Sequence, residues 1–360
     1  MESYLGKLID RKEEEIFRED CDKYDFVPSI FPAQKKIVVL GDIHGDFELV
    51  KQCLLLGGVI NKKNKWIGKE TIVVSIGDQN DSFRPNQFST TNRVPMQNDK
   101  PDDVKILKFF TSLDKQAQKD GGRVISLLGN HELMVVNGDN SYASNANIMN
   151  FLEEEDDGLS SDEKYERALE RRIRAFAPGN ELAEFLGCTR LSAVKIGTNL
   201  FVHGGFVPEY LSKAEIDSPE KLVVFNTFVR RYLLNKIRGP IVKDLISGSS
   251  KSPFWNRKFG TALPDLSMDD DLCEKYLTPV LKIFQVGTMI IGHTIQFSKN
   301  NEGINSTCDN GVQRVDFGGS SAFNAFDPEA TNLNERSRIR KAQVLIVEND
   351  NKYRVIRIKN

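Results

Sequence analysis

Three short apolar runs in this chain each stop at a glycine that is followed at once by polar donor residues. Lys36–Leu40 (KIVVL) runs into Gly41-Asp42-Ile43-His44-Gly45-Asp46, residues 70–76 (ETIVVSI) into Gly77-Asp78-Gln79-Asn80-Asp81, and residues 123–128 (RVISLL) into Gly129-Asn130-His131-Glu132. The runs are β-branched and continuous rather than alternating, the pattern of strands buried on both faces. Helix-length stretches separate them. Residues 46–57 form a helix with Asp46 as N-cap, closed by Gly57-Gly58, and residues 104–119 are amphipathic, with Ile106, Leu107, Phe109, Phe110 and Leu113 on one side. The first third therefore reads as β-loop-α-β-loop-α-β. In open α/β sheets ligands bind where strands end, so three motifs far apart in sequence can converge in space.

The rest of the chain is arranged around that unit. Residues 1–35 are a polar, partly helical N-terminal extension ending near Pro32, and residues 36–360 carry the main domain. Residues 84–103 are a polar loop broken by proline. Residues 137–190 look like a helical insertion: an acidic run at 153–157 precedes Ser160-Ser161-Asp162-Glu163, a capping box before a helix rich in Glu and Arg. This insertion reads mainly as a solvated element, and alternatively as a cap beside the site. Strands follow at Ala193–Ile196, Asn199–Val202, Thr288–Ile291 and 312–316, a helical stretch lies near 219–246, and a hairpin is expected at 343–358.

All four histidines fall in glycine-flanked motifs, the other two being His203-Gly204-Gly205 and Gly292-His293-Thr294. Imidazole is the commonest metal ligand and titrates near neutrality. The donors Asp42, His44, Asp78, Asn130, His203 and His293 form an oxygen and nitrogen set without sulfur. Such a set suits manganese, iron or zinc and disfavours a structural thiolate site. Six donors exceed one tetrahedral ion and suit two ions sharing a carboxylate. Ions roughly 3.5–4 Å apart clamp both oxygens in phosphoryl transfer and activate a water.

The series GDIHGD, GDQND, GNHE, HGG and GHT resembles the calcineurin-like metallophosphoesterases, and within them the phosphoprotein phosphatase (PPP) family, over roughly residues 36–320. FAPGNELAEFLG, TNLFVHGGFVPEYL, SPFWNRKFG and QRVDFGGSSAF are similar to the Shewanella-like, bacterial-type branch. The resemblance implies an α/β fold, a two-sheet αββα sandwich with a helical insertion. It implies that Asp42 and His44 bind the first metal, that Asp78 bridges, and that Asn130, His203 and His293 bind the second. It makes His131 the general acid, held by Asp81, and has a hydroxide bound by both metals attack phosphorus directly. The expected activity is a metal-dependent phosphomonoesterase acting on protein Ser/Thr, with Tyr as an extension.

The chain departs from the family's GDxxDRG motif, whose arginine grips the substrate phosphate. Here that slot holds Ser82, with Arg84 two residues on. Arg84 is read as the replacement clamp, because a planar guanidinium fits phosphate oxygens, the other reading being a weakened site. Arg257 in Trp255-Asn256-Arg257 is the second substrate arginine, with Lys258 in place of the usual glycine. The displaced arginine also resembles relatives encoded by large DNA viruses. It keeps open a small phosphoester substrate such as a dinucleoside polyphosphate. A third reading, of another class, is an inactive scaffold that binds phosphoproteins, against which the intact Asp81 and His131 speak.

Glu132 is read as a hydrogen-bond acceptor behind the ligands, and Asp316 as either a supporting group or a turn residue. Cys308 and Arg314 share the spacing of a cysteine-dependent phosphatase cradle, but residues 312–316 read as a strand, whereas a cradle needs a loop entering a helix. A net charge of −2, from 49 basic and 51 acidic residues, argues against a nucleic-acid partner. Five scattered cysteines without a CxxC pair read as reduced thiols of an intracellular, cytoplasmic protein. The charged N-terminal stretch is not a signal peptide, and no apolar run approaches the ~20 residues of a membrane span. Oligomeric state has no sequence signal.

Overall fold

Two six-stranded sheets face each other across a shared apolar layer. The computed structural model describes residues 11–85, 91–96, 99–246, 249–298, 301–327 and 340–358, so the start of the N-terminal extension and parts of the proline-broken loop lie outside the described residues. In chain order the strands are β1 (Ile30–Phe31), β2 (Lys36–Leu40), β3 (Ile72–Ser75), β4 (Arg123–Leu127), β5 (Arg190–Leu191), β6 (Ala193–Ile196) and β7 (Asn199–Val202). They continue with β8 (Thr288–Ile291), β9 (Phe297–Ser298), β10 (Asn301–Glu302), β11 (Asn305–Thr307), β12 (Val312–Arg314), β13 (Gln343–Glu348) and β14 (Lys352–Arg357). One sheet has the order β14-β13-β2-β3-β4-β5 and the other β1-β6-β7-β8-β12-β11.

The three apolar runs of the first third become β2, β3 and β4, parallel neighbours with Val38 opposite Val73 and Val73 opposite Val124. Every residue of β3 is buried, as continuous hydrophobicity requires of a strand covered on both faces. In β7 the side chains alternate: Phe201 joins the layer between the sheets, while Leu200 and Val202 join a second core under the outer helices. The expected C-terminal hairpin forms, and its first strand is internal, pairing antiparallel with β2 (Leu345 opposite Val39) while β14 takes the edge.

The helices are α1 (Glu13–Cys21), α2 (Phe47–Leu56), α3 (Asp103–Ala117), α4 (Asn130–Val136), α5 (Asn145–Met149), α6 (Ser161–Phe176) and α7 (Glu181–Thr189). After them come α8 (Pro208–Ala214), α9 (Lys221–Leu233), α10 (Pro240–Ile246) and α11 (Thr278–Phe284). Asp46 caps α2 by accepting the Leu49 N–H at 3.0 Å. α6 starts on the capping box read in the sequence, with Ser160 accepting from the Glu163 N–H and Glu163 accepting from the Ser160 N–H. Its buried residues are Tyr165, Ala168, Arg172 and Phe176, spaced as one helical stripe. That stripe packs onto α4 and α5, so the insertion covers the helix that carries Asn130 and His131 and is more than a solvated appendage.

One reading is corrected. The cysteines are not all free thiols: Cys21 pairs with Cys188, and Cys273 with Cys308, with Cα separations of 5.5 and 5.7 Å. The partners stand 167 and 35 residues apart, so their spacing carried no sign of pairing until the fold brought them together. Among the described residues, no helix is long and apolar enough to cross a membrane.

Phe201 is fully buried between the sheets. Phe201→Ala should therefore lower unfolding free energy by about 3–5 kcal/mol, read as a lower denaturant midpoint with an unchanged slope.

Candidate metal centre

The loops that leave β2, β3, β4, β7 and β8 meet at one end of the sandwich, and each brings one of the glycine motifs. Four of their residues, His44 (φ 46°), Asp78 (47°), Asp81 (70°) and His293 (64°), hold left-handed backbone that side-chain-bearing residues rarely adopt. Such conformations persist where surrounding bonds over-determine them. Here the Ile43 and His44 amides both donate to the Asp78 carbonyl, at 3.0 and 2.9 Å, and the Gly45 amide donates to the Gln79 carbonyl. Glu132 ties the second and third loops by accepting from the backbone N–H groups of Gly129 (2.7 Å), Asp78 (3.0 Å), Gln79 (2.8 Å) and Asn80 (3.1 Å). The glycines leave room for carboxylates: a Cβ on Gly129 would lie 2.2 Å from Asp78 Oδ1, and one on Gly292 2.3 Å from Asp42 Oδ1.

Asp78 sits at the middle. Its Oδ1 accepts the His131 backbone N–H at 3.0 Å, while Oδ2 lies 3.3 Å from His203 Nε2, 3.8 Å from His44 Nε2 and 4.0 Å from His131 Nε2. Two donor groups share it. His44, Asp78 and His131 form one, and Asp78, His203 and His293 the other, with donor atoms in each within 4.8 Å of one another. Asn130 joins the second through its Oδ1, 3.0 Å from His203 Nε2. Asp42 reaches the same place, with Oδ2 accepting the His293 N–H at 3.0 Å. The second nitrogens of His44 and His203 are fixed by the Asn80 and Ile76 carbonyls, at 3.1 and 3.0 Å, which points each Nε2 inward.

The electrostatics of this cluster call for cations. Burial, with Asp316 and Asp78 adding repulsion, pushes the Asp42 carboxyl well above its usual range. Asp316, left undecided in the sequence, lies beside Asp42 and is pushed up to about 6, chiefly by burial. Burial, aided by Arg84, drives the His44 imidazole well below its usual range, and burial does the same to His293. Burial opposes charge on Asp78 and His203 as well, yet their mutual attraction wins: Asp78 falls well below the carboxylate range and His203 rises. Asp42 Oδ1 and His293 Nε2 are buried without a hydrogen-bond partner among the described residues. Orphaned donors of this kind beside neutral imidazoles are what divalent ions complete, so the residues present fit a metal pair.

His131 Nδ1 bonds Asp81 Oδ2 at 2.9 Å, and its Nε2 faces the cluster. The other Asp81 oxygen, Oδ1, accepts from Arg172 Nη2 at 3.1 Å. Arg84 also arrives: its guanidinium lies 4.6 Å from the Phe323 ring and 5.5 Å from the Tyr142 ring, and those rings stand edge-on to His44 and His131. Its Nη1 donates to the Asp81 and Phe83 carbonyls, and no bond to a described residue engages Nη2. Ser82 points elsewhere, bonding Asp99 at 2.7 Å and Asn147 at 2.8 Å, so it is no phosphate ligand. Arg257 lies at the His293 loop, donating to the His293 carbonyl at 2.9 Å. Cys308 lies in its disulfide and Arg314 binds backbone carbonyls, as a non-catalytic pair should.

The sequence reading missed Arg172, Tyr142 and Phe323. For Arg172 a signal existed: it falls on the stripe of Tyr165, Ala168 and Phe176, where a charge is out of place. Tyr142 and Phe323 had none, since isolated aromatics carry no spacing.

The calcineurin-like phosphoesterase family matches residues 35–297. The chain belongs to that family. It is a metallophosphatase. An uncharacterised protein of Acanthamoeba polyphaga mimivirus is 37% identical to this phosphoesterase over 260 residues, covering 69% of this chain and 97% of the relative. Shewanella-like protein phosphatase 2 of Arabidopsis thaliana is 24% identical, covering 94% of this chain and 85% of the relative. The crystal structure of a cold-active protein-tyrosine phosphatase from a psychrophilic Shewanella superimposes with a TM-score of 0.57 at 21% identity, over 95% of this chain and 84% of that one, which supports the fold.

Arg84→Ala in this phosphoesterase should lower kcat/KM on a phosphopeptide roughly 10- to 100-fold, the worth of one charged hydrogen bond. Steady-state kinetics with both constants unchanged would remove Arg84 from the site.

Proposed function

We propose that this metallophosphatase hydrolyses phosphoprotein monoesters on Ser or Thr, and also on Tyr, through a two-metal centre. The observation that carries the metal reading is the buried Asp78 carboxylate shared by two histidine-containing donor groups. Asp42, His44 and Asp78 would hold one ion, and Asp78, Asn130, His203 and His293 the other. Oxygen and imidazole donors suit manganese, iron or zinc. Bound there, the ions supply Lewis acidity toward phosphoryl oxygens and make water nucleophilic at neutral pH.

The chain's own residues do the rest. Arg84, beside His44 and His131, and Arg257, beside His293, would take the non-bridging phosphoryl oxygens, Arg84 replacing the clamp that Ser82 cannot supply. His131, its Nδ1–H given to Asp81, directs Nε2 at the departing oxygen and delivers the proton that an alkoxide needs. Tyr142 and Phe323 pack against His131 and His44, and both rings also contact the Arg84 guanidinium. Phosphoprotein is the favoured substrate class because the Arabidopsis relative carries that name.

Initial rates on a phosphoserine peptide, a phosphotyrosine peptide and diadenosine tetraphosphate, with manganese and with a chelator, test both halves. The peptides should be the faster substrates, and chelation should abolish turnover. A preference for the dinucleotide would overturn the substrate class, and full activity after exhaustive demetallation would overturn the metal centre.

A further inference from the structure

Arg172 is a charged residue carried into the interior by the inserted helix, with no solvent exposure. Its Nη2 donates to Asp81 Oδ1 and to Asp103 Oδ2, both at 3.1 Å, and its Nε donates to Asn140 Oδ1 at 2.9 Å. Phe176 and Phe151 pack on the guanidinium at 5.1 and 5.7 Å. Asp103 Oδ1 in turn accepts the Asp81 backbone N–H at 3.2 Å. The Asp81 carboxylate is fully buried, and its two oxygens divide between two partners: Oδ2 faces His131 and Oδ1 faces Arg172.

We propose that Arg172 is a positioning residue for proton delivery: it fixes the Asp81 carboxylate, and through Asp81 the His131 ring, so that Nε2 faces the leaving oxygen. The proposal rests on the reading of His131 as the proton donor. A carboxylate bound only to an imidazole can rotate about its last bond and let the ring swing. One gripped at its second oxygen by a guanidinium, itself held by three acceptors, cannot. A donor oriented by a group that is itself oriented is the general logic of such relays. The fork is needed as well as the charge, because a lysine ammonium at the same place could not reach Asn140, Asp81 and Asp103 together. The helical insertion thus supplies a working part of the site.

A purely structural Arg172 would also neutralise two buried carboxylates, so the test must separate the roles. Proton delivery matters in proportion to the basicity of the leaving group, whereas loss of structure slows every substrate alike. Arg172→Met, Arg172→Lys and His131→Asn are compared with the parent holoenzyme on 2,4-dinitrophenyl phosphate, p-nitrophenyl phosphate, phenyl phosphate and a phosphoserine peptide. Should Arg172→Met fail to fold, the double variant Asp103→Asn/Arg172→Met, which strands one carboxylate fewer, takes its place.

With Arg172→Met, kcat on the phosphoserine peptide should fall on the order of 10²-fold and on 2,4-dinitrophenyl phosphate by less than about threefold, with Arg172→Lys between. In the metal-free protein, the His131 Nδ1–H resonance of histidine-labelled samples should lose its protection from exchange. Equal slowing of all four phosphates by the Arg172 variants, while His131→Asn still discriminates among them, would make Arg172 structural and overturn the proposal. Uniform slowing by His131→Asn would show that His131 is not the proton donor, and both readings would fall.

Discussion

The site depends on one carboxylate held in a place where water cannot solvate it. Asp78 occupies a left-handed turn at the end of β3, and its burial would expel the charge if nothing answered it. The answer comes from imidazoles on the loops after β2, β4 and β7 and from the backbone amide of His131. Each partner is in place only if its own strand is in register. The parallel pairing of β2, β3 and β4, which looks like ordinary sheet formation, is therefore also what sets donor atoms of three motifs within reach of one another. Glu132 makes the arrangement rigid by collecting four amides on a single side chain, which leaves the strained turns few alternatives.

Much of this was legible because two signals coincided. Continuous β-branched runs gave β2, β3 and β4, and the glycine-donor motifs at their ends named the residues that meet. His203 and His293 could be placed as well, since each follows a strand that is short but unbroken. The capping residues Asp46 and Ser160 were readable because a cap acts over a few residues of chain. What escaped reading is non-local. The pairing of Cys21 with Cys188 depends on α1 lying against α7, which no spacing announces. Tyr142 and Phe323 owe their place at Arg84 to two separate loops. Asp316 could not be assigned until β12 was seen ending next to the loop that bears Asp42.

The insertion shows how a local rule can be broken to good effect. An amphipathic helix normally fills its inner stripe with apolar side chains, and α6 does so at Tyr165, Ala168 and Phe176. At Arg172 it accepts the desolvation of a guanidinium, which is tolerable because two carboxylates and an amide oxygen receive it. Ser82, next to Asp81, bonds the insertion at Asn147. The cover and the loop after β3 are thus joined at two neighbouring positions, Asp81 and Ser82.

The position of β13 has a consequence for how the molecule is made. This strand follows every residue of the buried donor cluster in sequence, yet it lies inside the sheet, along the outer side of β2. During synthesis the whole constellation of motifs leaves the ribosome before that strand does, and β2 meanwhile presents a bare row of amides and carbonyls flanked by valines. An exposed edge of that kind recruits strands from other chains. A chain stopped before residue 343 would carry the whole buried donor cluster and still leave that edge of β2 open, so closure of the sheet waits on the last strand pair.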